Sequence, residues 1–209
     1  MMRFIRFLAP LAVLACLALT AEAKEVAFDF PLPKTSAPLT IGKEARPIAA
    51  WSVLCQRLPE ECAVNPREPA RIALDKKTWD LILRTNYRVN TTIQAVTDQE
   101  HWGVVDRWDY PDDGRGDCED MQLLKRRMLI EAGLPRRALR MGVVIDELGE
   151  GHAVLIARTD RGDLVLDNKT HIVMSWEITG YAMIKMESQS VSGWVTIGPE
   201  PAPVATAQP

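Results

Sequence analysis

The stretch PDDGRGDCEDMQLLKRRML, residues 111–129, contains the start of a helix and places one cysteine in its first turn. Asp117 is a suitable N-cap, acidic and apolar residues follow it at helical spacing, and Gly133 supplies a stop. We therefore predict a helix from Cys118 to Ala132, with the cysteine at about its first position.

Three carboxylates lie next to this cysteine, at Asp117, Glu119 and Asp120. Their negative charges disfavour a thiolate, whereas the free N–H groups and the positive dipole end of a helix start favour one. The two effects oppose each other, and the conflict needs a resolution. Acidic residues are also common in a first helical turn, where they act as ordinary caps.

Helical patterns precede strand-like patterns along the chain. Residues 73–98 are predicted to form a helix, because apolar residues recur there near helical spacing. After Leu139 the pattern changes to short β-like runs, namely LRMGVVID, HAVLIAR, DLVLD, HIVMSW, YAMIKM and GWVTI. Helices followed by consecutive strands predict an α+β fold, with N-terminal helices packed on an antiparallel β-sheet.

The first residues have the pattern of a secretion signal. A basic start precedes an apolar run from Phe7 to Leu19, and Ala21-Glu22-Ala23 suits signal peptidase. We predict a cleaved signal peptide at residues 1–23, which places the mature protein in an oxidising compartment. An uncleaved membrane anchor and lipoprotein processing at Cys16 are the alternatives.

The remaining chain is enough for one domain. Residues 45–198 are long enough to bury a sizeable core, and six tryptophans with 47% hydrophobic residues indicate a globular protein. We assign residues 24–44 to an extended N-terminal segment and the proline-rich residues 199–209 to a disordered tail. The net charge of −3 argues against a nucleic-acid partner.

Signal cleavage leaves three cysteines in the mature chain. Cys55 and Cys62 are seven residues apart in WSVLCQRLPEEC, with a proline between them, so we predict a short-loop disulfide. Cys118 is then the unpaired thiol. Its predicted position at an exposed helix start argues against a buried, inert cysteine and favours a chemical role.

Two strand-like runs place a histidine and an aspartate on one face of a predicted hairpin. The runs join through residues 159–162. If Arg158 pairs with Asp163, the numbers of facing residues add up to 321 throughout the hairpin. His152 and Asp167 are then diagonal neighbours on one face of the sheet.

A thiolate nucleophile needs a base, and the base needs an orienting partner. His101 and His171 have no carboxylate placed as Asp167 is placed beside His152. His152 is therefore the candidate base for Cys118.

Three motifs in this order resemble one known family. VNTTIQAVTDQEHWGVVDRWDYPDDGRGDCED, followed by GHAVLIA and LVLDN, is similar to the bacterial transglutaminase-like cysteine proteinases, whose best-known members are LapG-type periplasmic proteases. The similarity runs from about Trp51 to Trp194. It implies a transglutaminase-like, papain-like cysteine protease fold, in which Cys118 is the nucleophile, His152 the general base and Asp167 the residue that orients the base.

The same resemblance implies a calcium ion beside the nucleophile, because LapG-type enzymes are calcium-dependent. Asp117, Glu119 and Asp120 would supply the oxygen ligands that a hard cation takes, and the ion would offset their charges. Zinc held by the three triad residues is an alternative, but it would occupy the triad itself. Trp108 is a candidate for the substrate cleft, although an aromatic residue is more often part of a core.

The resemblance also implies a biological role. We expect a periplasmic, calcium-dependent cysteine endopeptidase that cleaves the N-terminal region of a large surface adhesin and so controls biofilm attachment. An inner-membrane receptor for cyclic di-GMP is a candidate partner. One alternative is that the same thiol acts on other amide bonds, either in protein cross-linking or in cleavage of peptidoglycan peptides. The other alternative is a non-catalytic binding module.

Overall fold

An antiparallel sheet forms the centre of the computed structural model, which describes residues 30–198; the predicted signal peptide and C-terminal tail lie outside these residues. The strands are Ile41–Ala45 (β1), Gln94–Ala95 (β2), Arg115–Gly116 (β3), Leu139–Ile145 (β4), Gly151–Thr159 (β5), Gly162–Leu166 (β6), Met174–Ser175 (β7), Ala182–Glu187 (β8) and Trp194–Ile197 (β9). Within the described residues, seven strands form the main sheet in the order β1-β9-β8-β4-β5-β6-β7. The strands β2 and β3 pair with each other in parallel.

Helices pack against this sheet. They are Ala49–Arg57 (α1), Pro59–Cys62 (α2), Lys76–Thr92 (α3), Asp98–His101 (α4) and Cys118–Glu131 (α5), with short 3₁₀ turns at Arg136–Ala138 and Trp176–Ile178. The helix α5 packs on β5 and on α3. Helices on a large antiparallel sheet confirm the predicted α+β class. Within residues 30–198, no helix has the length and apolar content needed to cross a bilayer.

The helix that carries the cysteine follows its prediction closely. It begins at Cys118 and ends at Glu131, one residue before the predicted end. Gly133 has a φ of +96°, a conformation that glycine adopts readily. Backbone hydrogen bonds then close the helix, from the N–H of Gly133 to Ile130 and from the N–H of Leu134 to Leu129.

The helix predicted over residues 73–98 is wrong at its C-terminal end. Asp75 caps α3, because its carboxylate accepts the N–H of Thr78 at 2.7 Å. The helix stops at Thr92, and Ile93 is extended. Consecutive β-branched residues at this point disfavour further helix, so the chain continues as β2 and then as the separate helix α4.

The predicted hairpin register is confirmed. Arg158 pairs with Asp163, and the ladder continues to Leu155 opposite Leu166, so facing residue numbers add up to 321 in every pair. The sequence predicts a four-residue connection at residues 159–162. Thr159 and Gly162 pair with each other, so the turn itself has only two residues.

The two faces of the sheet carry different cores. The larger core lies under the helices and includes Leu155 and Leu166 of the hairpin. The smaller core includes Val154 and Ile156, which alternate with the first set along β5 and therefore lie on the opposite face. By the same alternation, His152 belongs to the face of the smaller core.

The sheet also includes a strand that the sequence pattern does not reveal. Residues 41–45 overlap the segment expected to be extended, and they form β1, which pairs with β9. Most of this strand is exposed, so it lacks the regular alternation of apolar and polar residues that marks a half-buried strand.

A cluster of buried charges lies between the helices and the sheet. We define the arginine cluster as Glu61, Arg126, Arg136, Arg140 and Glu187. Arg126 bonds to Glu187 at 2.6 Å and to Glu61 at 3.0 Å, so it links α5 to β8 and to α2. The predicted disulfide is also present, and it joins α1 to α2.

Candidate active site

Gly116 and Asp117 shape the start of α5. Asp117 occupies the predicted N-cap position, but within the described chain its side chain accepts no capping hydrogen bond from a helix N–H. Its Oδ1 atom is buried and has no hydrogen-bond partner among residues 30–198. Gly116 permits close packing here, because a Cβ atom in its place would lie 2.8 Å from the Cβ of Asp120. The Asp117 carboxylate therefore keeps an oxygen available for another interaction.

The thiol of Cys118 lies beside the strand that carries His152. Cys118 forms no disulfide with any described residue. The sequence predicts an exposed thiol, but Cys118 is half-buried. Its thiol donates a hydrogen bond to Glu119 Oε2 at 3.0 Å. Burial and the charge of Glu119 raise the pKa of the thiol, whereas a hydrogen bond with the backbone of Ala153 lowers it. Since Ala153 directly follows His152, this contact brings the helix start to β5.

His152 and Asp167 are in direct contact. His152 Nε2 lies 2.8 Å from Asp167 Oδ1, and both side chains are almost fully buried. An ionised carboxylate can only accept, so Nε2 carries the shared proton and Nδ1 is the ring nitrogen left for another group. The contact that the hairpin register predicts is therefore present.

Several donors hold Asp167 in place. Its Oδ1 atom also accepts the N–H of Lys169 at 3.0 Å, and its Oδ2 atom accepts the hydroxyl of Tyr181 at 2.6 Å. The side chain of Asn90 donates to its main-chain carbonyl at 2.7 Å. Burial raises the pKa of Asp167, but the hydrogen bonds from His152, Lys169 and Tyr181 outweigh it and hold the pKa below its usual value.

A group of carboxylates also surrounds the start of α5. We define the acidic cluster as Asp98, Asp117 and Glu119, whose ligand oxygens all lie within 4.8 Å of one another. Asp98 comes from the first turn of α4, and its carboxylate accepts the N–H of Arg107. Among residues 30–198, no lysine or arginine forms a salt bridge with these three residues.

The acidic cluster fits a hard divalent cation. Burial and the charge of Asp117 raise the pKa of Glu119 to about 9. Burial and the charge of Asp98 raise the pKa of Asp117 to about 6. Asp106 adds a further carboxylate beside Glu119, and burial raises its pKa as well. Oxygen donors that destabilise one another as anions suit Ca²⁺, which takes carboxylate ligands in proteins.

Asp120, the third calcium ligand expected from the sequence, is not one of these three residues, although the charges of Asp117 and Asp98 act on its carboxylate. Its Oδ1 atom accepts the N–H of Asp109 at 2.7 Å. Burial raises the pKa of Asp120 to about 8 even though that hydrogen bond lowers it. The side chain satisfies a backbone N–H in the preceding loop, and Asp98 takes its place in the acidic cluster.

Trp108, the candidate for the substrate cleft, belongs mostly to the core. Its side chain is 3% exposed and meets the ring of Trp194 edge-on at 6.2 Å. Together with Val53 and Asp106 it also lines a surface groove of about 270 Å³. Its main role in the structure is therefore packing.

The two other histidines have different partners. His101 Nε2 lies 2.8 Å from Asp113 Oδ2, so His101 does have a carboxylate partner, which comes from a loop, whereas Asp167 directly follows the paired strand β6. The loop that carries Asp113 turns at Gly114, where φ is +83°, and reaches back to α4 in a way that sequence spacing does not show. His171 contacts the ring of Tyr87.

Sequence reasoning gave no role to three residues of this region: Asp98, Asp106 and Tyr181. Asp98 follows Thr97, which forms a capping box with Glu100, and this motif is a signal for a separate helix start. Tyr181 carries no such signal, because it reaches Asp167 only through the folding of the sheet.

The fold and this site define a transglutaminase-like α+β protein with a cysteine at a helix start and a histidine on the adjacent strand. A family model of the bacterial transglutaminase-like cysteine proteinases matches residues 40–201, so the chain belongs to that family. The resemblance seen in the sequence is thereby confirmed. The description of that family is of cysteine proteinases.

Solved structures of LapG from Legionella pneumophila are similar to this chain. One is 23% identical, and the match covers 52% of this chain and 64% of LapG, with a TM-score of 0.47. A calcium-bound form is 22% identical, and the match covers 60% of this chain and 81% of LapG, with a TM-score of 0.46. This chain thus spans less than two thirds of the first LapG structure. A comparison with curated proteins gave no match.

Proposed function

We propose that this protein is a periplasmic, calcium-dependent cysteine endopeptidase that cleaves the N-terminal region of a large surface adhesin. The juxtaposition of three features supports this proposal. His152 and Asp167 form a buried pair, the thiol of Cys118 contacts the residue after that histidine, and the acidic cluster adjoins the thiol.

In this proposal Cys118 attacks the scissile carbonyl of the substrate. His152 takes the thiol proton at Nδ1 and later gives it to the leaving amine, and Asp167 keeps Nε2–H oriented during both steps. The backbone N–H of Cys118 lies in the first turn of α5, where no intrahelical acceptor is available. It is suited to bind the developing oxyanion.

Calcium would be held by Asp98, Asp117 and Glu119. When bound, the ion supplies two positive charges that offset the carboxylates beside the nucleophile. The thiol of Cys118 donates to Glu119, and its raised pKa opposes the ionisation that attack requires. Compensation of the Glu119 charge would reduce that opposition.

The location and partners follow from the predicted signal peptide and from the family resemblance. A secreted protease would meet the N-terminal region of such an adhesin in the periplasm. We further propose that an inner-membrane receptor for cyclic di-GMP sequesters the enzyme and so links adhesin release to that signal.

The direct test is to incubate the mature protein with the N-terminal fragment of an adhesin from the same genome, with Ca²⁺ or with EGTA. We expect one discrete cleavage that requires Ca²⁺. Cys118→Ala and His152→Ala should abolish turnover. Asp167→Asn should retain some activity, because the role of Asp167 is orientation.

Matched controls separate this proposal from its alternatives. His171→Ala removes a histidine that contacts Tyr87, and it should leave turnover unchanged. Cross-linked products would indicate a transglutaminase, and cleavage of peptidoglycan peptides alone would indicate a wall peptidase. Binding of the fragment without turnover would indicate a binding module, and each of these three results would contradict the proposal.

A further inference from the structure

Tyr181 contacts both members of the His152–Asp167 pair. Its hydroxyl donates to Asp167 Oδ2 at 2.6 Å. Its ring meets the imidazole of His152 edge-on, with ring centroids 6.0 Å apart and planes at 81°. The residue comes from the loop before β8, so the contact joins a third segment of the chain to the pair.

The backbone around Tyr181 is also held. Thr179 Oγ1 accepts the N–H of Tyr181 at 3.2 Å, and the intervening Gly180 has a φ of +77°. That φ favours glycine, so the sequence supplies the residue that the turn requires. Tyr181 also packs against the smaller core, on the face of the sheet that carries His152.

We propose that Tyr181 is a positioning residue that holds Asp167 and His152 in the geometry needed for proton transfer. The inference rests on the function proposed above. It adds a third side chain, from a separate segment of the fold, to the imidazole and the carboxylate.

The carboxylate torsion explains what the hydroxyl does. The terminal torsion of an aspartate is broad, so a carboxylate with one bound oxygen can swing. In this site, His152 and the N–H of Lys169 hold Oδ1 of Asp167, and the hydroxyl of Tyr181 holds Oδ2. Rotation of the carboxylate therefore breaks hydrogen bonds at both oxygens.

The ring of Tyr181 restrains the imidazole. An edge-on aromatic contact is favourable and limits rotation of the ring. Burial and the charge of Asp167 also raise the pKa of the Tyr181 phenol, so its hydroxyl keeps its proton and remains a donor. Tyr181→Phe removes the hydroxyl and keeps the ring, whereas Tyr181→Leu removes both.

Steady-state kinetics on the adhesin fragment gives the first measurement. The variant Tyr181→Phe lacks the hydroxyl. It should lower kcat about tenfold and leave KM within about twofold of wild type, because a positioning defect acts on the chemical step. Tyr181→Leu should lower kcat further, because the imidazole also loses its restraint. A change confined to KM would overturn the proposal.

Nitrogen-15 NMR gives a measurement that needs no substrate. The chain has three histidines, so an untagged sample shows few imidazole signals, and His152→Gln assigns those of His152. In wild type, Nε2 should carry the proton and exchange it slowly with water. In Tyr181→Phe, that proton should exchange about tenfold faster or more, and the Nδ1–H tautomer should become detectable.

Tyr87→Phe is the matched control, because the ring of Tyr87 contacts His171 instead of His152. It should leave kcat and the His152 signals unchanged, with circular dichroism confirming that all variants fold. If Tyr181→Phe keeps wild-type His152 signals, the inference is wrong, whatever its kcat. If wild type cleaves no adhesin fragment, the proposed function fails, and the NMR comparison still decides the role of Tyr181.

Discussion

The start and the middle of helix α5 handle buried charge in opposite ways. At the start, the acidic cluster brings three carboxylates together without a salt-bridge partner among residues 30–198. Further along the same helix, Arg126 bonds to both glutamates of the arginine cluster. One helix therefore contributes to a cluster of like charges without ion pairs among the described residues and to another in which opposite charges pair.

The pKa values follow this difference. In the acidic cluster, burial and repulsion raise the pKa of Glu119 to about 9. In the arginine cluster, Arg136 and Arg126 outweigh the burial that raises the pKa of Glu61, and the pKa falls to about 2. Burial also acts on Glu187, yet Arg126 and Arg140 lower its pKa. Similar burial thus gives opposite shifts because the neighbours have opposite charge.

The comparison separates a structural role from a binding role. The arginine cluster holds its glutamates in ion pairs within the chain and links α2, α5 and β8. The acidic cluster has no basic partner among residues 30–198, and its oxygen donors are of the kind that Ca²⁺ takes. The arginine cluster itself carries three arginines for two glutamates, and burial lowers the pKa of Arg140 to about 10.

The largest expected effect comes from breaking the compensated cluster. Glu187 accepts hydrogen bonds from Arg126, from Trp51 and from the N–H of Met141. Glu187→Gln leaves Arg126 and Arg140 less compensated in a buried position, and it should lower the free energy of unfolding by about 3–5 kcal/mol. Urea denaturation measures the change.

The control for that variant is Glu177→Gln, because Glu177 is an exposed residue outside the cluster. It should change the free energy of unfolding by less than about 0.5 kcal/mol. A loss below about 1 kcal/mol for Glu187→Gln would mean that the arginine cluster contributes little to the fold.

The next effect is calcium binding at the acidic cluster. Ca²⁺ at about a hundred times its dissociation constant should raise the free energy of unfolding by about 2.7 kcal/mol, and EGTA should remove that gain. Mg²⁺ should substitute poorly, because it demands a tighter octahedral shell. Calorimetric titration with Ca²⁺ alone measures the binding, and the absence of any heat or thermal shift would exclude the site.

Asp98→Asn refines this test, because its effect should change sign with the ion. In EGTA the variant should be more stable than wild type by about 1 kcal/mol, since a repelling charge is gone. With Ca²⁺ it should bind the ion at least about tenfold more weakly. Asp120→Asn is the matched comparison: its carboxylate lies outside the cluster, so it should affect calcium affinity less.

A smaller effect concerns acid stability. The pKa of Glu61 is about 2 in the folded protein and 4.5 in its ordinary state. A lowered pKa contributes stability that is present above pH 4.5 and is lost as the pH falls from 4.5 towards 2. Glu61→Gln should remove this part of the pH dependence, as measured by unfolding between about pH 6 and pH 2. An unchanged slope would contradict the assignment.

The smallest effect is expected at a surface pair. Lys76 and Asp80 lie one turn apart on α3 and form an exposed salt bridge. Asp80→Asn should lower the free energy of unfolding by only about 0.3–0.5 kcal/mol, because water screens exposed charges. A loss comparable to that of Glu187→Gln would show that burial is not what separates the two kinds of pair.

Local patterns in the sequence are sufficient for several elements. The N-cap position of Asp117 and the glycine stop at Gly133 predict α5 to within one residue, although the Asp117 side chain accepts no capping hydrogen bond and only the stop at Gly133 acts through neighbouring backbone groups. The contact between His152 and Asp167 follows from the register of a two-residue turn, since strand pairing propagates from the turn. The disulfide between Cys55 and Cys62 also spans a short stretch of chain.

Other features require the folded chain. The helix α3 ends earlier than its apolar spacing indicates, because periodicity alone does not mark where a β-branched run stops a helix. Sequence proximity suggests Asp120 as a calcium ligand, whereas one oxygen of this side chain accepts the N–H of Asp109 in the folded chain. Asp98 belongs to the acidic cluster and lies in the separate helix α4. The apolar pattern assigns this residue to the end of one long helix together with α3.

The amino-acid sequence alone is enough for the fold class, the cysteine at the helix start and the histidine–aspartate pair, because helix caps, periodicity and hairpin register act over a few residues. The folded chain is needed to show which carboxylates meet Asp117, which arginines compensate Glu187, and that Tyr181 reaches Asp167. Those contacts join segments far apart in the chain, and their geometry depends on how the helices dock on the sheet, which no local pattern encodes.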